Sequence, residues 1–200
     1  MIKNKILICI FVILFATSAN SEENFPYYGK LDPKPKIVIE VFSSLTCPHC
    51  ADFHFNYLPG LIEKYVKNGS ALIILKDFPL DQAALIGAQI SKCLTNEGQK
   101  KYLDEVYKTQ SKWMQSKTLS DLNNYFFNII KDLGLNNEKD VVGLDCLKNK
   151  PIKRFENIVL QSRIDAMNKY EINSTPSFLI NKKKFKGSIK DLEKYIDKLL

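Results

Sequence analysis

The chain has 200 residues, of which 45% are hydrophobic and 11% aromatic, and its formal net charge is +7. That length and apolar content allow one domain with a sizeable core, or a small domain carrying an insertion, and exclude a disordered chain. Basic residues are scattered among acidic ones rather than gathered in a stripe, which reads as a solvated surface and argues against nucleic-acid binding.

At the N-terminus, Lys3 and Lys5 precede an apolar run from Ile6 to Ala16, and Thr17-Ser18-Ala19 supplies the small residues a signal peptidase needs. The run is about eleven residues, short of the roughly 20 that cross a bilayer. The expectation is a signal peptide over 1–19, cleavage near Ala19 and export to a periplasmic space, with an uncleaved anchor as the alternative. Cys9 lies in the leader, so the mature chain would keep Cys47, Cys50, Cys93 and Cys146. An even count in an exported chain fits two disulfides.

Residues 20–35 are polar and punctuated by Pro26, Gly29, Pro33 and Pro35, which reads as an extended lead-in without periodicity. Residues 36–42 form a β-branched, buried-type strand, followed by Cys47-Pro48-His49-Cys50 and a helix that Pro59-Gly60 should kink or break. Asn68-Gly69 ends that helix and 71–75 make a second strand, so the two strands should run parallel around a right-handed crossover. From Asp81 the pattern turns helical. Asp81 caps a helix to Leu94, Asn96-Glu97-Gly98 breaks it, and a second helix covers Gln99 to Met114. A third runs from a Thr118 or Ser120 cap to Leu133 with Gly134 beyond it, a short fourth contains Val141, Val142, Leu144 and Leu147, and a fifth runs from Pro151 to Tyr170. Trp113, Tyr125, Phe126, Phe127, Ile129 and Ile130 are read as core of this block. Ser177-Phe178-Leu179-Ile180, a turn at Asn181-Lys182-Lys183 and a strand over 184–187 form a hairpin, and Ser188 caps a last amphipathic helix. The fold class is therefore α/β: a βαβ unit and a ββα unit sharing one sheet, with an all-helical insertion between them.

Two cysteines one helical turn apart, at a strand-to-helix junction, point to redox chemistry. The free N–H groups and dipole of a helix start favour an anion, and thiolate is the species that attacks in disulfide exchange. Cys47 would be the exposed nucleophile, Cys50 the resolving thiol, and His49 a source of an N–H or a positive charge for the thiolate. A zinc half-site and a permanent disulfide are the alternatives; zinc normally needs four ligands, and the other cysteines are distant in sequence.

With Lys76-Asp77-Phe78-Pro79-Leu80 closing the second strand and Asn173-Ser174-Thr175-Pro176 preceding the hairpin, the chain resembles the DsbA-like thiol-disulfide oxidoreductases of the thioredoxin superfamily. The resemblance implies a thioredoxin fold over 36–80 and 172–200 with a helical insertion over 81–171. It also implies a cis Pro176 beside the cysteines, with Thr175 offering backbone to an extended substrate. The activity implied is introduction of disulfides into reduced secreted proteins by a monomer without cofactor or metal, reoxidised by a DsbB-like membrane quinone reductase. A disulfide isomerase or reductase, which Thr175 keeps open, and a non-catalytic envelope binding protein on the same scaffold are the alternatives. Cys93 and Cys146 are expected to form a structural disulfide within the block, against two buried free thiols. The superfamily's buried acid stands six residues before the first cysteine; here that residue is Val41 and Glu40 is one step further, which on a strand is the opposite face. His54 is expected on a helix surface, and Lys182, Lys183 and Lys184 at a solvated hairpin tip.

Overall fold

The computed structural model describes residues 25–135, 137, 139–142, 146–147 and 155–200. The expected leader and its cleavage at Ala19, the start of the lead-in, the part of the fourth helix at Leu144, and the Pro151 start of the fifth helix lie outside the described residues.

In chain order the sheet contains β1 (Tyr27–Tyr28), β2 (Ile37–Ser43), β3 (Ala71–Asp77), β4 (Ser177–Ile180) and β5 (Lys183–Lys184), arranged β1-β3-β2-β4-β5. β2 and β3 are parallel, from Ile37 opposite Ala71 to Ser43 opposite Asp77, and β4 joins β2 antiparallel with Phe178 opposite Val41. The two sequence-distant halves thus share one sheet. The lead-in is less loose than its composition suggests. Tyr27 and Tyr28 pair with β3 as an edge strand, and Phe25 is buried against Leu72 and Ile74.

Period-two alternation sorts β2 onto two faces. Ile37, Ile39 and Val41 pack with Cys50 and Phe53 on one side, whereas Phe42 packs with Phe78, Ala166, Ile172 and Leu179 on the other. The first face carries α1 (Pro48–Asn56), α2 (Leu58–Leu61) and a π-helical turn over Ile62–Val66. The break expected at Pro59-Gly60 falls earlier, at Tyr57, and α2 carries Pro59 inside its first turn, where a proline needs no N–H partner.

Between β3 and β4 lie α3 (Gln82–Ser91), α4 (Asn96–Lys108), α5 (Gln110–Trp113), α6 (Leu119–Asp132) and α7 (Glu156–Tyr170). Asp81 caps α3 by accepting from Ala84 N–H at 2.9 Å, and Thr118 caps α6 by accepting from Asp121 N–H at 3.1 Å. Asn96-Glu97-Gly98 does not separate two helices as expected. It opens α4, because Thr95 accepts from Gly98 N–H and Thr95 N–H donates to Asp140 O at 2.8 Å. Gly98 serves a close approach: a Cβ there would lie 2.8 Å from Asp140 O. Val141 is not helical but bridges to Leu94 as an isolated β-bridge. Trp113 and Phe126 are fully buried, their rings 5.1 Å apart, at the centre of the block.

The hairpin turn is one residue shorter than expected. Asn181 and Lys182 both have positive φ, 49° and 65°, the signature of a two-residue turn that matches strand twist. Ser188 and Asp191 form a capping box that starts a short 3₁₀ turn leading into α8 (Leu192–Asp197). Cys93 and Cys146 are joined by a disulfide, S–S 1.97 Å, across a sequence separation of 53.

Replacing Gly98 by Ala is expected to destabilise by about 1–3 kcal/mol through overpacking, more than the about 1 kcal/mol that helix propensity returns. A lower urea midpoint at unchanged slope is the readout. Replacing both Cys93 and Cys146 by Ala should cost up to about 4 kcal/mol in the chain-entropy picture of a loop this long, with the ultraviolet titration of Cys47 unchanged.

Candidate active site

Ser43 ends β2 and the chain turns through Ser44, Leu45 and Thr46 into α1. Several backbone bonds hold this turn: Phe78 N–H donates to Ser43 O at 2.8 Å and Cys47 N–H to Ser44 O at 3.1 Å. Leu80 N–H donates to Ser44 Oγ at 3.2 Å. From the helical block, the Gln110 side chain donates to both Leu45 O at 2.6 Å and Cys47 O at 3.2 Å. Gln110 carries no motif that marks it in the sequence, since what it recognises is backbone.

Cys47 is the N-cap of α1 in an extended conformation, φ −84° and ψ 117°, and Pro48 occupies the first turn. Its carbonyl accepts from Cys50 N–H at 3.1 Å, which stacks the two cysteines one turn apart. Both thiols are free, so the dithiol form is described. The expected exposure of Cys47 is not observed: both cysteines are buried, Cys47 at 6% and Cys50 at 1% of their full accessibility. The opposite wall is the Thr175–Pro176 peptide, which is cis, and the Cys47 thiol donates to Thr175 O at 3.3 Å.

The two thiols are electrostatically unlike. Cys47 is lowered from 9.0 to about 5, chiefly because the Cys50 thiol donates to its sulfur. Burial opposes this shift, while the Thr175 hydroxyl and the backbone N–H groups of Cys50 and His49 reinforce it. Thr175 Oγ1 is buried and has no partner in hydrogen-bond geometry, so its effect on the sulfur is that of an uncommitted dipole. Cys50 is pushed far up by burial and then by its thiol's interaction with the Cys47 sulfur, with the charge of Cys47 adding less. His49 acts on this thiolate through its N–H: its imidazole is exposed and makes no hydrogen bond among the described residues.

Glu40 belongs to the other side of the sheet. It is buried, with Lys182 Nζ 2.9 Å and Lys76 Nζ 4.0 Å from its carboxylate, and it lines a pocket of about 540 Å³ between the sheet and α7. Glu40 faces away from Cys50, as its position one step along the strand requires, and one expectation changes: Lys182 is not merely solvated, because the hairpin tip turns it back onto Glu40. His54 also departs from expectation. It is buried, its Nε2 lies 2.7 Å from Asp104 Oδ1, and its ring stands 4.9 Å from that of Tyr107. The misreading has a simple cause: α1 is covered on that side by α4, which is distant in sequence.

Among the described residues no group of three or more His, Cys, Asp or Glu side chains is placed to hold a metal ion, and no helix is long and apolar enough to cross a membrane.

Comparison with known proteins places this geometry. The profile of a thioredoxin family matches residues 21–198. A Rickettsia typhi protein, provisionally named a protein-disulfide oxidoreductase, is 26% identical over 167 residues, covering 82% of this chain and 58% of the relative. A Rickettsia bellii protein with the same provisional name is 28% identical over 109 residues, 54% of this chain and 41% of the relative. The chain thus spans about half the length of these curated relatives. Among solved structures, α-DsbA1 of Wolbachia pipientis superposes with a TM-score of 0.68 at 29% identity, covering 88% of this chain and 90% of that one. BdbD of Bacillus subtilis, at 16% identity and TM-score 0.69 over 88% of this chain and 92% of its own, shares the fold.

The asymmetry of the thiols fixes a sign. A group whose pKa is depressed on folding contributes stability that is complete above its unfolded value and is lost as pH falls through the folded one. The reduced protein should therefore gain stability over the oxidised form as pH rises from about 5 to 9. Urea unfolding of both forms across that range measures the gap, and thiolate absorbance should titrate near 5. The chain belongs to the thioredoxin family and, within it, to the DsbA-like proteins.

Proposed function

We propose that the chain is an exported thiol-disulfide oxidoreductase that introduces disulfides into reduced secreted proteins through the Cys47–Cys50 pair. The observation that carries this reading is the split between the thiols, with Cys47 lowered to about 5 and Cys50 raised. A substrate thiolate attacks Cys47 of the disulfide form, Cys50 leaves, and a second substrate thiolate then displaces Cys47. The second displacement is favourable because Cys47 leaves as a stabilised thiolate, so the disulfide is easily reduced and the protein is an oxidant toward its partners. Thr175 and Pro176, opposite Cys47, form the wall that receives an extended substrate segment, and His49 contributes its N–H. Residues 36–80 and 172–200 serve as the thioredoxin domain, 81–171 as the inserted helical domain, and the Cys93–Cys146 disulfide as a structural brace.

In this reading the protein is a periplasmic monomer, exported by residues 1–19 and reoxidised by a DsbB-like membrane quinone reductase, with no resident metal or cofactor. Disulfide isomerase or reductase activity is the second reading. It is favoured by Thr175, whose unpartnered Oγ1 near the thiols gives the thiolate an environment that an aliphatic residue would not.

Oxidised protein should speed the oxidation of a reduced dithiol peptide, and Cys47→Ala should abolish the effect. Equal rates with and without Cys47 would sink the proposal. Recovery of a scrambled disulfide substrate, measured in parallel, separates isomerase from oxidase. A Cys47–Cys50 disulfide that resists reduction by glutathione would favour a non-catalytic binding protein.

A further inference from the structure

Thiol-disulfide exchange at Cys47 and Cys50 needs a path for a proton. Cys50 is 1% exposed, and each turn of the cycle must deliver a proton to its sulfur or remove one from it. The acid that could sit behind it on β2 is replaced by Val41, and Glu40 faces the other side of the sheet.

Behind Cys50 lies a cavity of about 20 Å³, lined by Ser43, Cys50, His54, Lys76, Asp77 and Tyr107 together with apolar side chains of the core. A cavity holds a water molecule when it offers roughly 10–15 Å³ and two to four polar partners. This one meets both conditions. Its titratable groups come from three elements and differ in what they can do. Tyr107, on α4, is held well above its ordinary value by burial and by the charge of Cys50, so it stays a phenol and does not accept. Asp77, on β3, is paired with Lys92 Nζ at 2.8 Å, and the Lys92 side chain is only 2% exposed. Protonating Asp77 would strand a buried ammonium. Lys76 points to the Glu40 side of the sheet and onto the Phe25 ring, 4.1 Å away.

His54 differs from these. Its side chain is 4% exposed, but that of its partner Asp104 is 61% exposed, so the pair runs from the cavity to solvent. An exposed carboxylate only accepts hydrogen bonds, so Nε2 carries the hydrogen shared with Asp104 and Nδ1 is the nitrogen free to gain or lose a proton. Histidine is also the residue type that exchanges protons most readily between pH 5 and 8. We propose that His54, oriented by Asp104 and acting through one water in the cavity behind Cys50, is the proton relay of the resolving thiol.

The step balances without a further reactant. In closing a mixed disulfide on Cys47, the Cys50 thiol gives its proton through the water to His54, which passes one to solvent at Asp104. The Cys50 sulfur bonds to Cys47 Sγ as the bond from Cys47 to the bound thiol breaks, and the departing thiolate takes a proton from solvent. In the oxidative direction the same chain runs backwards and delivers the proton to Cys50 as it leaves.

The relay rests on the oxidoreductase reading, and the test separates the two. Reduced protein is mixed with oxidised glutathione between pH 5 and 8, quenched in acid at timed intervals, and analysed by mass for the species glutathionylated on Cys47. In the native protein this species should form and decay quickly. In His54→Gln it should form at the native rate but decay on the order of a hundredfold more slowly, with a decay rate rising in proportion to hydroxide. Asp104→Asn, exposed and outside the core, should slow the decay to a lesser degree and shift its pH profile. Native decay rates and pH profile in folded His54→Gln would overturn the relay while leaving the oxidoreductase reading intact. If that variant does not fold, unchanged decay in Asp104→Asn overturns the relay alone. A native protein that never forms the glutathionylated species overturns both.

Discussion

One interaction organises the site: the Cys50 thiol lowers Cys47, and neither the helix start nor any charged side chain does as much. It arises because α1 begins at Cys47 and places Cys50 one turn deeper, with the Cys47 carbonyl tied to Cys50 N–H. The same stacking makes the pair unequal. The outer sulfur is the one that can be an anion, and the deeper sulfur is buried where an anion is costly. Attack and resolution are thereby assigned to different atoms by depth alone.

Depth in turn depends on the sheet and on the helices between β3 and β4. β2 brings Val41 beneath α1, β4 carries the Thr175–Pro176 segment to the opposite wall, and α4 closes the side that a free α1 would leave open. The site therefore draws on regions far apart in sequence. Cys47 and Thr175 are separated by 128 positions, and His54 and Asp104 by 50.

This explains which parts were legible beforehand. Local signals survived: the β-branched runs of β2 and β3, the Asp81 and Thr118 caps, and the cysteine spacing all act over a few residues and appear where expected. The readings that changed depended on what packs against a segment. Asn96-Glu97-Gly98 looked like a breaker until Thr95 capped it and Asp140 needed the space of a missing Cβ. The lead-in looked unstructured because two residues of edge strand leave no periodicity. His54 looked exposed because only its helix partner α4, not its own helix, covers it. Gln110 could not be found at all, since a side chain that binds carbonyls leaves no mark on the residues it binds.

That tether from Gln110 bears on how such a chain can change over time. The Gln110 carboxamide, with the Tyr107 hydroxyl on Ser44 O beside it, joins the helical block to the turn at Cys47, and every acceptor is a main-chain oxygen. The side chains of the turn can drift without loosening the tie, and the block's outer surface can be remodelled without disturbing it. What cannot drift is the distance between the two parts. Variation in the outer surface and constancy in the nucleophile's placement are thereby decoupled, so one chemistry can be carried beneath many different exteriors.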